Sequence, residues 1–315
     1  MRLSIVTTLY HSASYIEDFY QRAAASAQTI TPDYEIIFVN DGSPDESLEL
    51  AIALYERDKR VKIIDLSRNF GHHRAIMTGL VHAHGDLVFL IDSDLEEAPE
   101  ILKTFYEEMK NSQTDVVYGV QKRRKGNSFE RISGEVYYVL FKILSGYKAA
   151  SNVLTARLMT RDYVRALVEH KEREFDIMGL WSLTGFRQSA VAVDKLSKGT
   201  TVYSLRRKIS LSINTVTAFS SRPLLAIFLL GAIVLGLSGV AALYLMVEYL
   251  IGGAVGGWSI AIVSIWLLGG LIISCLGVVG IYTAKIFIET KQRPYTIVRK
   301  FYGEDENVYD EQKSK

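Results

Sequence analysis

Cysteine is nearly missing from this sequence of 315 residues; the single one is Cys275. That excludes a disulfide-stapled scaffold and a zinc site built on cysteines. Five prolines and 23 glycines are too few for a collagenous or low-complexity chain. Neither sign of charge is in excess, since 36 Lys and Arg face 35 Asp and Glu for a net charge of +1. Nucleic-acid binders carry a marked basic surplus, so no nucleic-acid partner is expected. No G-x-G-x-x-G follows the first strand-like run, and no Walker A motif occurs. Both absences argue against nicotinamide hydride transfer and ATP hydrolysis. Internal repeats are absent as well. The start, Met1 to Val6, lacks the layout of a signal peptide and reads directly as a strand.

Apolar residues are not scarce. Hydrophobic types make up 49% and charged types 23%, with a mean hydropathy of +0.13. A positive mean beside that much charge requires the two to be segregated along the chain. Pro223 to Val247 and Trp258 to Ala284 hold no charged residue over 25 and 27 positions. A helix needs about 20 apolar residues to cross a bilayer. Gly252-Gly253 and Gly256-Gly257 supply turn material between the runs. The pattern predicts a two-helix transmembrane hairpin. Lys195 to Arg222 carries six basic residues and no acid, and Lys285, Lys291, Arg293, Arg299 and Lys300 follow the second run. Basic flanks mark the cytoplasmic side, so both ends are expected inside and the turn outside. This divides the chain into a domain over 1–200, a basic juxtamembrane segment over 201–222, the hairpin over 223–284 and a cytoplasmic tail over 285–315.

The first 200 residues alternate between strand-like and helix-like patterns. Leu3 to Leu9, EIIFVN at 35–40, Val61 to Leu66, DLVFLI at 86–91 and Asp115 to Val120 read as strands. Tyr15 to Gln28, a segment after Ser43, His72 to His84 and a segment after Pro99 read as helices. Ser43, Pro44 and Glu46 have the types of an N-cap, a first helical residue and a capping box. Strands alternating with helices of this length predict an α/β fold, a doubly wound and mostly parallel sheet. Ligands of such sheets sit at the carboxyl ends of the strands.

Polar residues collect at those ends: Thr8 and Tyr10, then Asn40, Asp41 and Gly42, then Ser67, Arg68, Asn69 and Gly71, then Asp92 and Asp94. Two carboxylates one residue apart can hold Mg²⁺ or Mn²⁺, which accept hard oxygen ligands and keep positions open for phosphate. Such a metal neutralises charge on a departing diphosphate, and Arg68 could add a charge-assisted contact. Each feature also has a plainer reading. A lone D-x-D often caps a turn, and Asp-Gly is a turn signal. His72-His73 reads as helix N-terminal packing and solvent contact rather than a metal pair. Trp181 reads as core or membrane-interface packing as readily as pocket lining. Ser128 to Tyr147, behind the basic run Lys122 to Lys125, fits an interfacial helix or one packed on the sheet.

The runs IVTTLYHSASYIEDF, IIFVNDGSPDES, LSRNFGHHRAIMTGL and FLIDSDLEEAPE together resemble glycosyltransferase family 2 with the GT-A fold. The last two, with FSSRPL and IFIETKQRPYTIV, resemble the polyprenyl-phosphate glycosyltransferases. These include dolichyl-phosphate mannose synthases and bacterial undecaprenyl-phosphate sugar transferases of surface-polysaccharide modification. The resemblance spans nearly the whole chain. It implies a nucleotide-sugar site at Thr8, Tyr10, Asp41, Arg68 and Asp92, with Asp41 on the base or ribose. It implies a metal on Asp92 and Asp94, and catalytic roles for Asp92, Asp94 and Arg157, the last in ARLMTR. It places Arg206, Arg207 and Lys208 at the lipid phosphate. The implied setting is the bacterial inner membrane, multi-pass, with the catalytic domain cytoplasmic. A homo-oligomer is allowed by the small residues Gly269, Gly270, Gly277 and Gly280.

The sequence departs from the family pattern in places. DSDLEEAP puts Glu96 and Glu97 where the family has Gln and Asp, and His11-Ser12-Ala13 replaces Asn-Glu-Glu. Thr155 stands where the family has the Asp often proposed as base. The acceptor's chemistry makes that loss tolerable. A sugar hydroxyl must shed a proton, and a base helps by about 10²–10⁴. A monophosphate, with a second pKa near 6, is already largely dianionic at neutral pH. The expected reaction is inverting transfer from a nucleotide-diphospho-sugar to polyprenyl phosphate. Two alternatives are transfer to a hydroxyl of a lipid-linked sugar, with Glu174 or Asp176 as the carboxylate, and a silent membrane-anchored partner.

Overall fold

The computed structural model describes residues 1–121, 153–172, 177–193 and 257–303, with isolated positions between 227 and 251. Leu3–Leu9 (β1), Tyr34–Asn40 (β2), Val61–Leu66 (β3) and Leu87–Leu90 (β4) alternate with Ile16–Gln28 (α1), Ser47–Arg57 (α2) and His72–Val81 (α3). Ile101–Ser112 (α4), Val116–Gln121 (β5), Val153–Thr160 (β6), Arg161–Val168 (α5), Ile177–Leu183 (α6) and Gln188–Val193 (β7) follow. Gly257–Thr290 (α7) and Val298–Tyr302 (β8) complete the described elements. Every residue of β1 and β2 is buried. Continuous apolar strands of this kind need cover on both faces, and the alternation of side chains supplies it. Ile5, Phe38 and Phe89 point into one layer with Phe19 of α1, Leu54 of α2 and Phe105 of α4. Each buried aromatic there contributes roughly 1.5–3 kcal/mol of transfer free energy. The opposite face meets α3 at close range. A Cβ on Gly79 would come within 2.5 Å of Val6 Cγ1 and 2.8 Å of Val39 Cγ2.

The sheet has eight strands in the order β7-β5-β6-β4-β1-β2-β3-β8. The expected α/β architecture is present, but the sheet is mixed. β1 runs parallel to β2 and β4, and β2 to β3. β6 lies antiparallel to both β4 and β5, and β8 antiparallel to β3. The sequence pattern of a buried strand does not report direction.

Two local expectations are corrected. The capping box at Ser43 and Glu46 does not form; α2 starts at Ser47, and Glu46 makes no side-chain cap. Asp45 takes that place, accepting from the Ser47 amide and hydroxyl and from the Ser43 hydroxyl. Part of the segment expected as a tail is also a strand. The valine and aromatics of Val298–Tyr302 pair with β3, and the Ser67 amide donates to the Ile297 carbonyl.

The chain divides into two compact units, the first made of 1–127, 149–202 and 294–315, the second of 128–148 and 203–293. The sheet belongs to the first and α7 to the second. α7 is 34 residues long, and its side chains are described only at intervals. Among the described residues no helix is long and apolar enough to cross a membrane. Most of the first charge-free run, the interfacial segment Ser128 to Tyr147 and the basic run Lys122 to Lys125 lie outside the described residues.

Candidate functional site

Strand β1 has parallel neighbours on both sides, β2 and β4, so the chain winds away from it in two directions. A crevice opens at the carboxyl end of such a switch point. Extending the register of Leu3 with Leu87 and Val6 with Leu90 sets Thr8 beside Asp92. The residues after β4 alternate in exposure: Ile91, Ser93, Leu95 and Glu97 are buried, whereas Asp92, Asp94 and Glu96 are half-exposed. Ser93 anchors the turn by donating to the Thr8 carbonyl at 2.8 Å, and its Oγ lies 3.1 Å from Ser12 Oγ. Asp94 Oδ1 accepts the Glu96 amide at 2.9 Å. Leu95 sits in the left-handed region at φ 59°, a costly conformation for a branched residue. With Ser93 turned inward, both aspartates keep part of their surface exposed.

His72, the first residue of α3, spans the gap between the strand ends. Its Nδ1 lies 3.0 Å from Thr8 Oγ1 and its Nε2 3.3 Å from Asp92 Oδ1. The sequence reading put His72 in helix N-terminal packing and solvent contact and, with Thr8 and Trp181, among the guesses for the pocket lining, but not with Asp92. The signal it lacked was the register that brings Thr8, Asp92 and the start of α3 together.

Asp41, at the end of β2, is 2% exposed. Its Oδ1 accepts the Phe70 amide at 2.7 Å and its Oδ2 the Gly71 amide at 3.0 Å. Burial pushes its carboxyl above the usual range, against the pull of those two amides. Both oxygens are thus engaged by the loop between β3 and α3. Gly42 presses on the same loop: at φ 60° it has no room for a side chain, since a Cβ would lie 2.4 Å from the Arg68 carbonyl carbon. Arg68 itself is exposed, its guanidinium 4.2 Å from the Phe70 ring centroid. β8 braces the loop's start, as Arg299 donates to the Ser67 carbonyl at 2.7 Å and lies 3.5 Å from buried Asp65. Asp65 also accepts from Asn40 Nδ2 at 2.8 Å.

The loop after β1 is held by the loop after β2. The His11 amide donates to Ser43 Oγ, the Ser12 amide to Ser47 Oγ and the Ala13 amide to Asp45. Burial raises the Asp45 carboxyl, but the Ser43 and Ser47 hydroxyls and the Ala13 and Ser47 amides outweigh it and hold it at about 2. Tyr10 stands 48% exposed above this frame, edge-on to His11.

Arg157 on β6 pairs with Leu90 of β4. It is 1% exposed, and its guanidinium carbon lies 2.8 Å from the Trp181 ring centroid. Trp181 is therefore a packing partner within the fold. Carrying the β4–β6 register two residues further sets Thr155 opposite Asp92. Glu97, noted in the sequence as a departure, is 2% exposed and accepts the Ala156 amide at 2.8 Å. It ties the aspartate turn to β6 beside Thr155.

Asp92 and Asp94 provide hard oxygens at the turn. Mg²⁺ and Mn²⁺ are commonly held by one or two carboxylates with phosphate and water completing the shell, so the pair fits such an ion together with a diphosphate. Among the described residues no three His, Cys, Asp or Glu form a self-sufficient metal cluster. Of the other sequence candidates, Arg206, Arg207, Lys208, Glu174 and Asp176 lie outside the described residues.

Residues 4–168 match the description Glycosyl transferase family 2. A Mycobacterium tuberculosis protein named among putative glycosyltransferases is 54% identical over 306 residues, covering 97% of this chain and 90% of that protein. A protein of Escherichia coli K12 described as a prophage bactoprenol glucosyl transferase homolog is 29% identical, covering 95% of this chain and 99% of its own. The crystal structure of glucosyl-3-phosphoglycerate synthase from Mycobacterium tuberculosis with Mn²⁺, uridine diphosphate and phosphoglyceric acid is similar at 17% identity. That match has a TM-score of 0.49 and covers 70% of this chain and 78% of that one.

Proposed function

The chain belongs to glycosyl transferase family 2, and on that premise we propose that it transfers a sugar, with inversion, from a nucleotide-diphospho-sugar to a polyprenyl phosphate. The observation that carries this is the half-exposed pair Asp92 and Asp94 at the β1/β4 switch point, braced through Ser93 and His72. The name of the bactoprenol glucosyl transferase relative supports the acceptor class.

The residues divide the work. Asp92 and Asp94 would hold Mg²⁺ or Mn²⁺, which supplies charge neutralisation for the leaving diphosphate. Arg68, exposed on the Phe70 ring, adds a cation at the crevice rim for the same phosphates. Thr8 and Tyr10 line the β1 side. Asp41 serves the nucleotide through the loop it clamps, because both its oxygens face backbone amides. Arg157 stays buried under Trp181 and keeps positive charge at the base of the site. In the reaction an acceptor phosphate oxygen forms the new bond to the anomeric carbon, and the bond from that carbon to the diphosphate breaks. The phosphate dianion brings its own electron pair, so Thr155 in place of a carboxylate costs no proton transfer.

The membrane setting rests on the sequence. Two runs without charge and their basic flanks support a hairpin in the bacterial inner membrane with the catalytic domain cytoplasmic. Among the described residues no helix is long and apolar enough to cross a membrane, and α7 adds only its surface. Ile265, Leu268, Ile272, Leu276 and Val279 are exposed along it, a stripe that suits lipid or a second copy. Arg206, Arg207 and Lys208 would meet the lipid phosphate at the membrane surface.

The test uses purified full-length protein, Mg²⁺ or Mn²⁺, undecaprenyl phosphate and a panel of nucleotide-sugars. The expected result is an acid-labile lipid-linked sugar with one donor and its loss in Asp94→Ala. No lipid-linked sugar with any donor would refute the reaction. Full turnover in Asp94→Ala would refute the metal assignment.

A further inference from the structure

We propose that His72 is a positioning residue that fixes the side chain of Asp92 for the metal and the diphosphate, and is not itself a ligand. The inference deepens the reading above and rests on its donor site.

The contacts form a closed ring across the crevice floor. Ser93 Oγ donates to the Thr8 carbonyl, Thr8 Oγ1 meets His72 Nδ1 at 3.0 Å, and His72 Nε2 meets Asp92 Oδ1 at 3.3 Å. Asp92 and Ser93 are consecutive, so the ring closes through the backbone. An ionised carboxylate only accepts, so Nε2 carries the hydrogen towards Asp92. Nδ1 is engaged by the Thr8 hydroxyl, which can donate or accept as the ring's protons dictate. With both nitrogens committed, His72 has no lone pair for a metal.

The contact falls on Oδ1 of Asp92. His72 therefore selects one rotamer of a half-exposed aspartate that would otherwise sample several. The ring nitrogen can do so because the start of α3 is itself held. Gly71, at φ 101°, precedes His72, and its amide is fixed by Asp41 Oδ2 at 3.0 Å. Position thus passes from the end of β2 through α3 to the end of β4. Partners that orient a metal-binding side chain commonly cost about 10- to 100-fold in metal affinity when removed. His72 is 45% exposed, which places the expected effect at the lower end of that range.

Mn²⁺ binding is measured by electron paramagnetic resonance on the full-length protein, with UDP and with GDP as probes. Neither sugar nor acceptor is needed. In His72→Ala, Mn²⁺ affinity with the nucleotide that binds falls roughly tenfold, with the unfolding temperature unchanged. His72→Gln, whose amide can donate to Asp92 and accept from Thr8, recovers most of the loss. In turnover the Mn²⁺ concentration for half-maximal rate rises, while the rate at saturating Mn²⁺ changes little. Thr8→Val opens the ring from its other side and weakens Mn²⁺ binding in the same direction. Unchanged Mn²⁺ affinity in His72→Ala, or a glutamine variant no better than alanine, would overturn the proposal. Wild-type protein that binds Mn²⁺ and nucleotide but makes no polyprenyl product would refute the acceptor reading and leave the role of His72 standing.

Discussion

Replacing Asp41 by Asn separates a loop clamp from a direct contact with the nucleotide. The wild-type carboxylate accepts two amides, from Phe70 at 2.7 Å and Gly71 at 3.0 Å. Hydrogen bonds to a charged acceptor are worth about 1.5–3 kcal/mol each. Asn has the same shape but only one acceptor oxygen, so one amide would face an NH₂ group. Burial disfavours the carboxylate charge, and relief of that penalty returns part of the loss. A net local cost of about 2 kcal/mol remains, which at 1.4 kcal/mol per decade is roughly 30-fold in loop opening. Hydrogen exchange on the full-length protein should show the Phe70 and Gly71 amides exchanging faster by about that factor. Amides of Ile5 and Phe38, deep in the sheet, should not change. The donor KM should rise in parallel, with a smaller change in kcat. A raised KM with unchanged exchange at Phe70 and Gly71 would refute the clamp and restore Asp41 as a direct nucleotide ligand.

Three further outcomes follow from the same contacts. Asp45, held at about 2 against an ordinary 3.8, is lowered by folding. Its stabilisation is present above the unfolded value and fades as pH falls from about 4 to about 2. Asp45→Asn should flatten that acid limb in a plot of unfolding temperature against pH. Glu97→Ala strands the buried Ala156 amide and should cost about 1–3 kcal/mol in unfolding free energy; an unchanged denaturant midpoint would contradict the contact. Arg299→Ala should cost no more than about 1 kcal/mol, because the arginine is 60% exposed although Asp65 is 3% exposed. Ending the chain at Arg293 should cost far more, since it removes β8 and leaves the β3 edge unpaired. Soluble yield and unfolding temperature of the two variants would order them.

What the sequence determined by itself was local or periodic. Buried strands such as EIIFVN and DLVFLI announce themselves by composition, and the helices between them by a 3.6-residue pattern. The polar residues at Thr8, Asp41, Arg68, Asp92 and Asp94 could be placed at strand ends because each directly follows an apolar run. Family membership was legible for the same reason, being carried by contiguous motifs. What only the tertiary structure decided depends on pairing between distant segments. Strand direction is one instance: β6 runs antiparallel to β4, and nothing in a buried run records which way its neighbour points. The 294–302 segment read as a tail because the partner that makes it a strand, β3, lies more than 200 residues earlier. The contact of Asp41 with the loop between β3 and α3 is another, since each of its oxygens accepts an amide 29 or 30 residues away. His72 gained its place through the β1–β4 register, which joins Thr8 to Asp92 across 84 positions. A side chain's type limits the bonds it can make, and the fold selects among them by fixing which donors and acceptors come within about 3 Å.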